Sequence, residues 1–229
     1  NDRLGAAYAP DRMLPLKDNV PTRSTPYVTI GLIVVNLLVW FWELRAPGVD
    51  VHVFKDGYYP CTVSGPCHIP VNIPIHPLPW YEGAFTSMFM HASWEHILGN
   101  MLFLWIFGNN VEDRFGRVWF LVLYLVGGLV ASAVHILGNL DSTSPFLGAS
   151  GAISGVLASY LVFFPRNRVS VWLLFQVTEV PALLVIGVWI AMQLVSEVGA
   201  LASRPTTGGV ACLAHVGGFG SGLLGAPLM

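Results

Sequence analysis

The sequence predicts an all-α, polytopic membrane protein with six spanning helices. Three observations predict it. Of the 229 residues, 54% are hydrophobic and only 10% charged, whereas a soluble domain carries roughly 25% charged residues. The mean hydropathy is +0.63. So few charges cannot coat a soluble protein of this size, and lipid must cover much of it. Apolar runs suited to a hydrocarbon core, which needs about 20 helical residues, recur along the chain.

The elements follow in order. Residues 1–25 are mostly polar and broken by Pro10, Pro15 and Pro21. They hold no apolar run of the signal-peptide kind and are expected to form a cytoplasmic N-terminal segment. The first span is Tyr27 to Trp42, and a polar, prolyl loop over 46–93 follows. The second span is Trp94 to Val111, the third Val118 to Leu137 and the fourth Gly148 to Phe164. Val169 to Glu179 reads as an amphipathic or interfacial stretch. The fifth span is Val180 to Val198 and the sixth Val210 to Leu228. Residues 26–229 thus read as one membrane domain.

Six spans leave both termini on one side. With the N-terminus inside, inner loops hold Arg3, Arg12, Lys17, Arg23, Arg114, Arg117, Arg166 and Arg168, and outer loops hold Arg45, Lys55 and Arg204. That bias places both termini in the cytoplasm, and the expected location is the plasma membrane. Loop 46–93 is then outside. Its aromatics, Trp80 and Tyr81 among them, suit a membrane interface, either as a substrate-facing element or as a packed connector. Cys61 and Cys67 form a disulfide in an oxidising compartment or stay free. A zinc site from them and His68 would lack a fourth ligand. The net charge of -2 gives no sign of nucleic-acid binding.

Polar groups inside spans are costly and tend to mark function. The second, fourth and sixth spans all enter from the outer side, and each has a chemically capable residue in its first turns: His96 and Asn100, then Ser150, then His215. His96 and Asn100, four apart, share a helix face. Ser150 sits at a helix start between Gly148 and Gly151, where backbone N–H groups lack intrahelical partners. A nucleophile there has part of an oxyanion hole supplied. His215 precedes Gly218 and Gly222, and the fourth span offers Gly151 and Gly155. Small faces of this kind let helices pack closely and would bring His215 to Ser150. Ser154 and Ser159 read as bonding back to carbonyls one turn away. His91 and His135 read as structural residues near a membrane interface. No Asp or Glu lies in the fourth or sixth span, which favours a Ser-His dyad. Position 152 is Ala, so the G-x-S-x-G elbow of soluble hydrolases is absent.

His96-Ile-Leu-Gly-Asn100-Met101, Gly148-Ala-Ser150-Gly151 and Ala214-His215-Val216-Gly217-Gly218 with Gly222 resemble, in order, the three signature segments of rhomboid proteases. Glu112-Asp113-Arg114-Phe115-Gly116 is also similar to that family. The resemblance runs from about Pro26 to Pro227. It implies a six-transmembrane-helix rhomboid-like bundle and an intramembrane serine endopeptidase acting on transmembrane segments of membrane proteins near the outer face. It implies Ser150 as nucleophile, His215 as general base, and oxyanion donors from His96, Asn100 and the Ser150 amide, with no metal and no cofactor. Two features depart from it. Many relatives carry an aromatic residue four after the serine, packed on the histidine, where this chain has Ser154. The Trp-Arg pair of many relatives is missing from the first outer loop. An inactive rhomboid-like binder would be expected to have lost the Ser or His. A transporter would be expected to place ionisable groups at the midplane or broken helices in paired halves.

Overall fold

The computed structural model describes residues 14–45, 48–65, 67, 69, 78–173, 176–203 and 211–228. Residues 1–13 with Arg3 and Arg12, His68, residues 70–77 and Arg204 lie outside the described residues. In chain order the elements are β1 (Leu14–Asp18), α1 (Tyr27–Glu43), α2 (Val49–Asp56), α3 (Cys61–Ser64), α4 (Trp80–Thr86), α5 (Trp94–Phe115), α6 (Arg117–Leu137), α7 (Ser150–Phe163), β2 (Arg168–Leu173), β3 (Gln176–Pro181), α8 (Ala182–Ser203) and α9 (Ala211–Gly225).

The fold is mostly helical, and a helix stands at each apolar run. The long loop is not plain coil: α2, α3 and α4 form within it, and Cys61 and Cys67 are joined as a disulfide. Among the described residues, α6 alone is both long and apolar enough to cross a bilayer, and α1, α7, residues 182–192 of α8 and residues 212–228 are apolar but shorter. Six crossings therefore do not follow from helix length alone.

The all-α expectation needs correction. β1, β2 and β3 form an antiparallel sheet in that order, pairing Asp18 with Val169 and Val169 with Val180. The stretch from Val169 to Glu179, read as amphipathic or interfacial, lies in the paired antiparallel strands β2 and β3. Val169 and Val171 are buried while their neighbours are not, the period of two of a strand, and β-branched residues favour that backbone.

The helices bury polar residues along with an apolar core, and they also expose apolar faces. In α1 the buried set is Thr29, Leu32, Asn36, Trp40 and Glu43, at helical spacing, while Val34, Val35, Leu38 and Phe41 are exposed. The Glu112 carboxylate of α5 accepts hydrogen bonds from the Val28 and Thr29 amides and the Thr29 hydroxyl at 2.7–3.0 Å. It satisfies N–H groups that a helix start leaves open. Asp113 beside it accepts from the Arg23 and Ser24 amides and the Ser24 hydroxyl at 2.7–3.1 Å, which gives the Glu112-Asp113 pair a physical role.

Helix α7 is the centre of the packing. Every residue from Ser150 to Tyr160 is buried, which marks a helix enclosed on all sides. Helices α5, α6 and α9 surround it. At its far end Tyr160 donates to Asp18 at 2.8 Å, Asn110 donates to the same carboxylate at 2.6 Å, and Asn167 donates to Tyr160 at 3.1 Å. Strand β1 is thereby tied to α5 and α7.

Candidate active site

Glycines set the distance between α7 and α9. A Cβ on Gly218 would overlap the Gly151 carbonyl, and one on Gly222 would overlap the Gly155 carbonyl. Only bare backbones can approach this closely. One turn before Gly218, His215 points at the start of α7, and its Nε2 lies 2.8 Å from Ser150 Oγ. Both residues are buried, at 4% and 8% exposure. Ser154 donates to the Ser150 carbonyl at 2.8 Å and Ser159 to the Gly155 carbonyl at 3.0 Å, the back-bonding expected of mid-helix serines.

The turn into Ser150 is narrow. Gly148 has φ +127°, and a Cβ there would lie 2.8 Å from His96 Cε1 and Nε2 and 3.7 Å from Ser150 Oγ. The half-buried His96 ring therefore lies against the turn, beside the hydroxyl. Ser93 caps α5 by accepting the His96 amide at 3.2 Å, which orients this first turn.

Asn100 is buried, and its Nδ2 is 3.1 Å from His91 Nε2. His91, read from the sequence as a structural residue, is completely buried. Its amide donates to the Glu43 carboxylate at 3.2 Å, and its ring meets His96 edge-on at 5.0 Å. Burial, helped by nearby His96, holds the His91 imidazole down at about 3. Because an amide nitrogen only donates, His91 Nε2 accepts from Asn100. His135 is also buried, and it stacks on Phe146 with ring centroids 4.3 Å apart.

On the α8 side, the Trp189 ring stands 5.7 Å from the His215 ring at 66° and 5.3 Å from Phe103 at 33°. Chemically, the site holds a hydroxyl against an imidazole, with the His96 ring beside the turn and Asn100 joined to His91.

Comparison with known proteins agrees with the residue pattern. Residues 79–229 match the model of the rhomboid domain. Rhomboid protein 1, mitochondrial, of Saccharomyces cerevisiae is 33% identical over 142 residues, 60% of this chain and 39% of the relative. The human presenilin-associated rhomboid-like protein, mitochondrial, is 34% identical over 87 residues, 37% of this chain and 23% of the relative. Rhomboid-like protein 11, chloroplastic, of Arabidopsis thaliana is 39% identical over 79 residues, 34% of this chain and 28% of the relative. The matches span less than half the length of these relatives. Their names point to an organellar membrane and overturn the expected plasma membrane with cytoplasmic termini. Loop charge bears on which way a chain crosses a membrane, not on which membrane it crosses. With its family model matched over more than half of its length, the chain belongs to the rhomboid family.

Proposed function

We propose that this chain is an intramembrane serine endopeptidase that cleaves transmembrane segments of membrane proteins with a Ser150–His215 dyad. The observation that carries the reading is the 2.8 Å approach of His215 Nε2 to Ser150 Oγ. It lies at the start of an enclosed helix, where backbone amides are open. We assign residues 26–229 to a domain of six spanning helices, α1 and α5 to α9, with residues 1–25 outside the bilayer. The buried polar residues and outward apolar faces support that assignment, because lipid accepts the latter and excludes the former.

The reaction uses the chain's own groups. A substrate segment enters from the bilayer and unwinds locally, since helical hydrogen bonding otherwise protects its peptide bonds. Gly or Pro in the substrate eases that step. His215 accepts the Ser150 proton as Oγ bonds to the carbonyl carbon. The new oxyanion accepts hydrogen bonds from the Ser150 amide, His96 and the second N–H of the Asn100 amide. His215 then passes its proton to the leaving amine, and water, activated by His215, hydrolyses the acyl-enzyme.

Reconstitution of the purified chain in liposomes with a membrane-anchored reporter tests this. Cleavage is expected from the native chain and not from Ser150→Ala or His215→Ala. Cleavage that survives Ser150→Ala would sink the mechanism. No cleavage by the folded native chain would favour an inactive binder of membrane segments.

A further inference from the structure

The Nε2–Oγ approach requires the His215 ring to hold one orientation. On α9 the next turns carry Gly218 and Gly222, which face Gly151, Ser154 and Gly155 of α7 and offer no side chain to the ring. The Ser154 hydroxyl is turned to its own backbone, on the Ser150 carbonyl. Trp189 of α8 does meet the ring, edge to face, with centroids 5.7 Å apart, within the range that aromatic pairs prefer. Trp189 is itself fixed. It is 4% exposed, it follows Ala182, Val185 and Ile186 on the buried face of residues 182–192 of α8, and it also packs on Phe103 of α5. A side chain with two χ angles, held between α5 and α9, makes a stiff support.

We propose that Trp189 is a positioning residue for His215: its indole, held by Phe103, sets the plane of the imidazole and keeps Nε2 on Ser150 Oγ. The proposal rests on the Ser150–His215 reading. Trp189 touches no reacting atom in this role. Its loss is expected to lower the rate at which Ser150 reacts, without changing how tightly a small reagent binds.

The experiment is the kinetics of Ser150 labelling by a fluorophosphonate in detergent-solubilised full chain, with reagent concentration varied. Trp189→Leu and Trp189→Met remove the ring while filling space, and the second serves if the first does not fold. Trp189→Phe restores a ring. Ile186→Ala makes a core cavity one turn earlier on α8. The expected result is a limiting rate roughly 2- to 10-fold lower in the ring-free variants, the equivalent of one ring contact. The half-saturating concentration should stay the same, Trp189→Phe should recover most of the rate, and Ile186→Ala should react like the native chain. Labelling of the ring-free variants at the native limiting rate would overturn the proposal, as would equal slowing by Ile186→Ala. A native chain that takes no label would instead remove the dyad reading, and this proposal with it.

Discussion

A Cβ on Gly148 would lie 2.8 Å from two atoms of the His96 ring, at a φ of +127° that L side chains rarely adopt. Gly148→Ala must therefore strain the backbone, at about 1–3 kcal/mol, and displace His96 from Ser150. Thermal melting should show the loss of stability, and Ser150 labelling should fall with it. Normal values for both would mean that the turn is looser than described. Asn100 supports a second prediction. A missing oxyanion donor costs about 3 kcal/mol, roughly 100-fold in rate, so Asn100→Ala should cleave that much more slowly while still folding. Turnover within a few-fold of native would take Asn100 out of the oxyanion role. At this scale the sequence exposed the residues with polar groups in apolar spans, and the Ser154 and Ser159 back-bonds followed from mid-helix position. The partners of His91 were not legible, because its contacts with Asn100 and Glu43 join residues nine and 48 positions away. No local period encodes such contacts.

Close packing of α7 on α9 was legible as paired small residues, Gly151 and Gly155 against Gly218 and Gly222, and the structure brings those faces together. Gly222→Leu would drive a side chain into the Gly155 backbone. Overpacking of this kind costs about 1–3 kcal/mol, and here it would also pull His215 from Ser150. Gly220→Leu, on the same helix but with open space around its Cβ, should be close to neutral. Melting curves and Ser150 labelling of the two variants check this. Equal effects would mean that the close approach does not matter. The hairpin was missed at this scale for a clear reason. Its alternation is short, its outer strand is largely exposed, and its third strand comes from residues more than 140 positions earlier. A period read inside one window cannot supply that partner.

Across the whole molecule, sheet and helices are joined at Asp18, which is 3% exposed and bonded to Asn110 and Tyr160. Burial pushes its carboxyl above the ordinary value of 3.8, against the pull of those hydrogen bonds. The linkage has a definite sign. A raised folded value favours the neutral form, so the group's stabilising contribution is full below 3.8 and is lost as pH rises through the folded value. The amide of Asp18→Asn still accepts both hydrogen bonds but does not titrate. The melting temperature of the native chain should therefore fall relative to Asp18→Asn as pH rises above 3.8, and a difference constant with pH would contradict this. The outward apolar faces were legible as low charge and high hydropathy. The identity of the membrane was not, because composition reports that lipid is present and not whose lipid it is.

Fluorophosphonate labelling of the native chain in mild detergent, with the adduct located by mass spectrometry, tests the central claim most directly. The account predicts a single adduct on Ser150 that disappears in both Ser150→Ala and His215→Ala. A folded native chain that takes no label, or a label that persists in His215→Ala at the native rate, would contradict it.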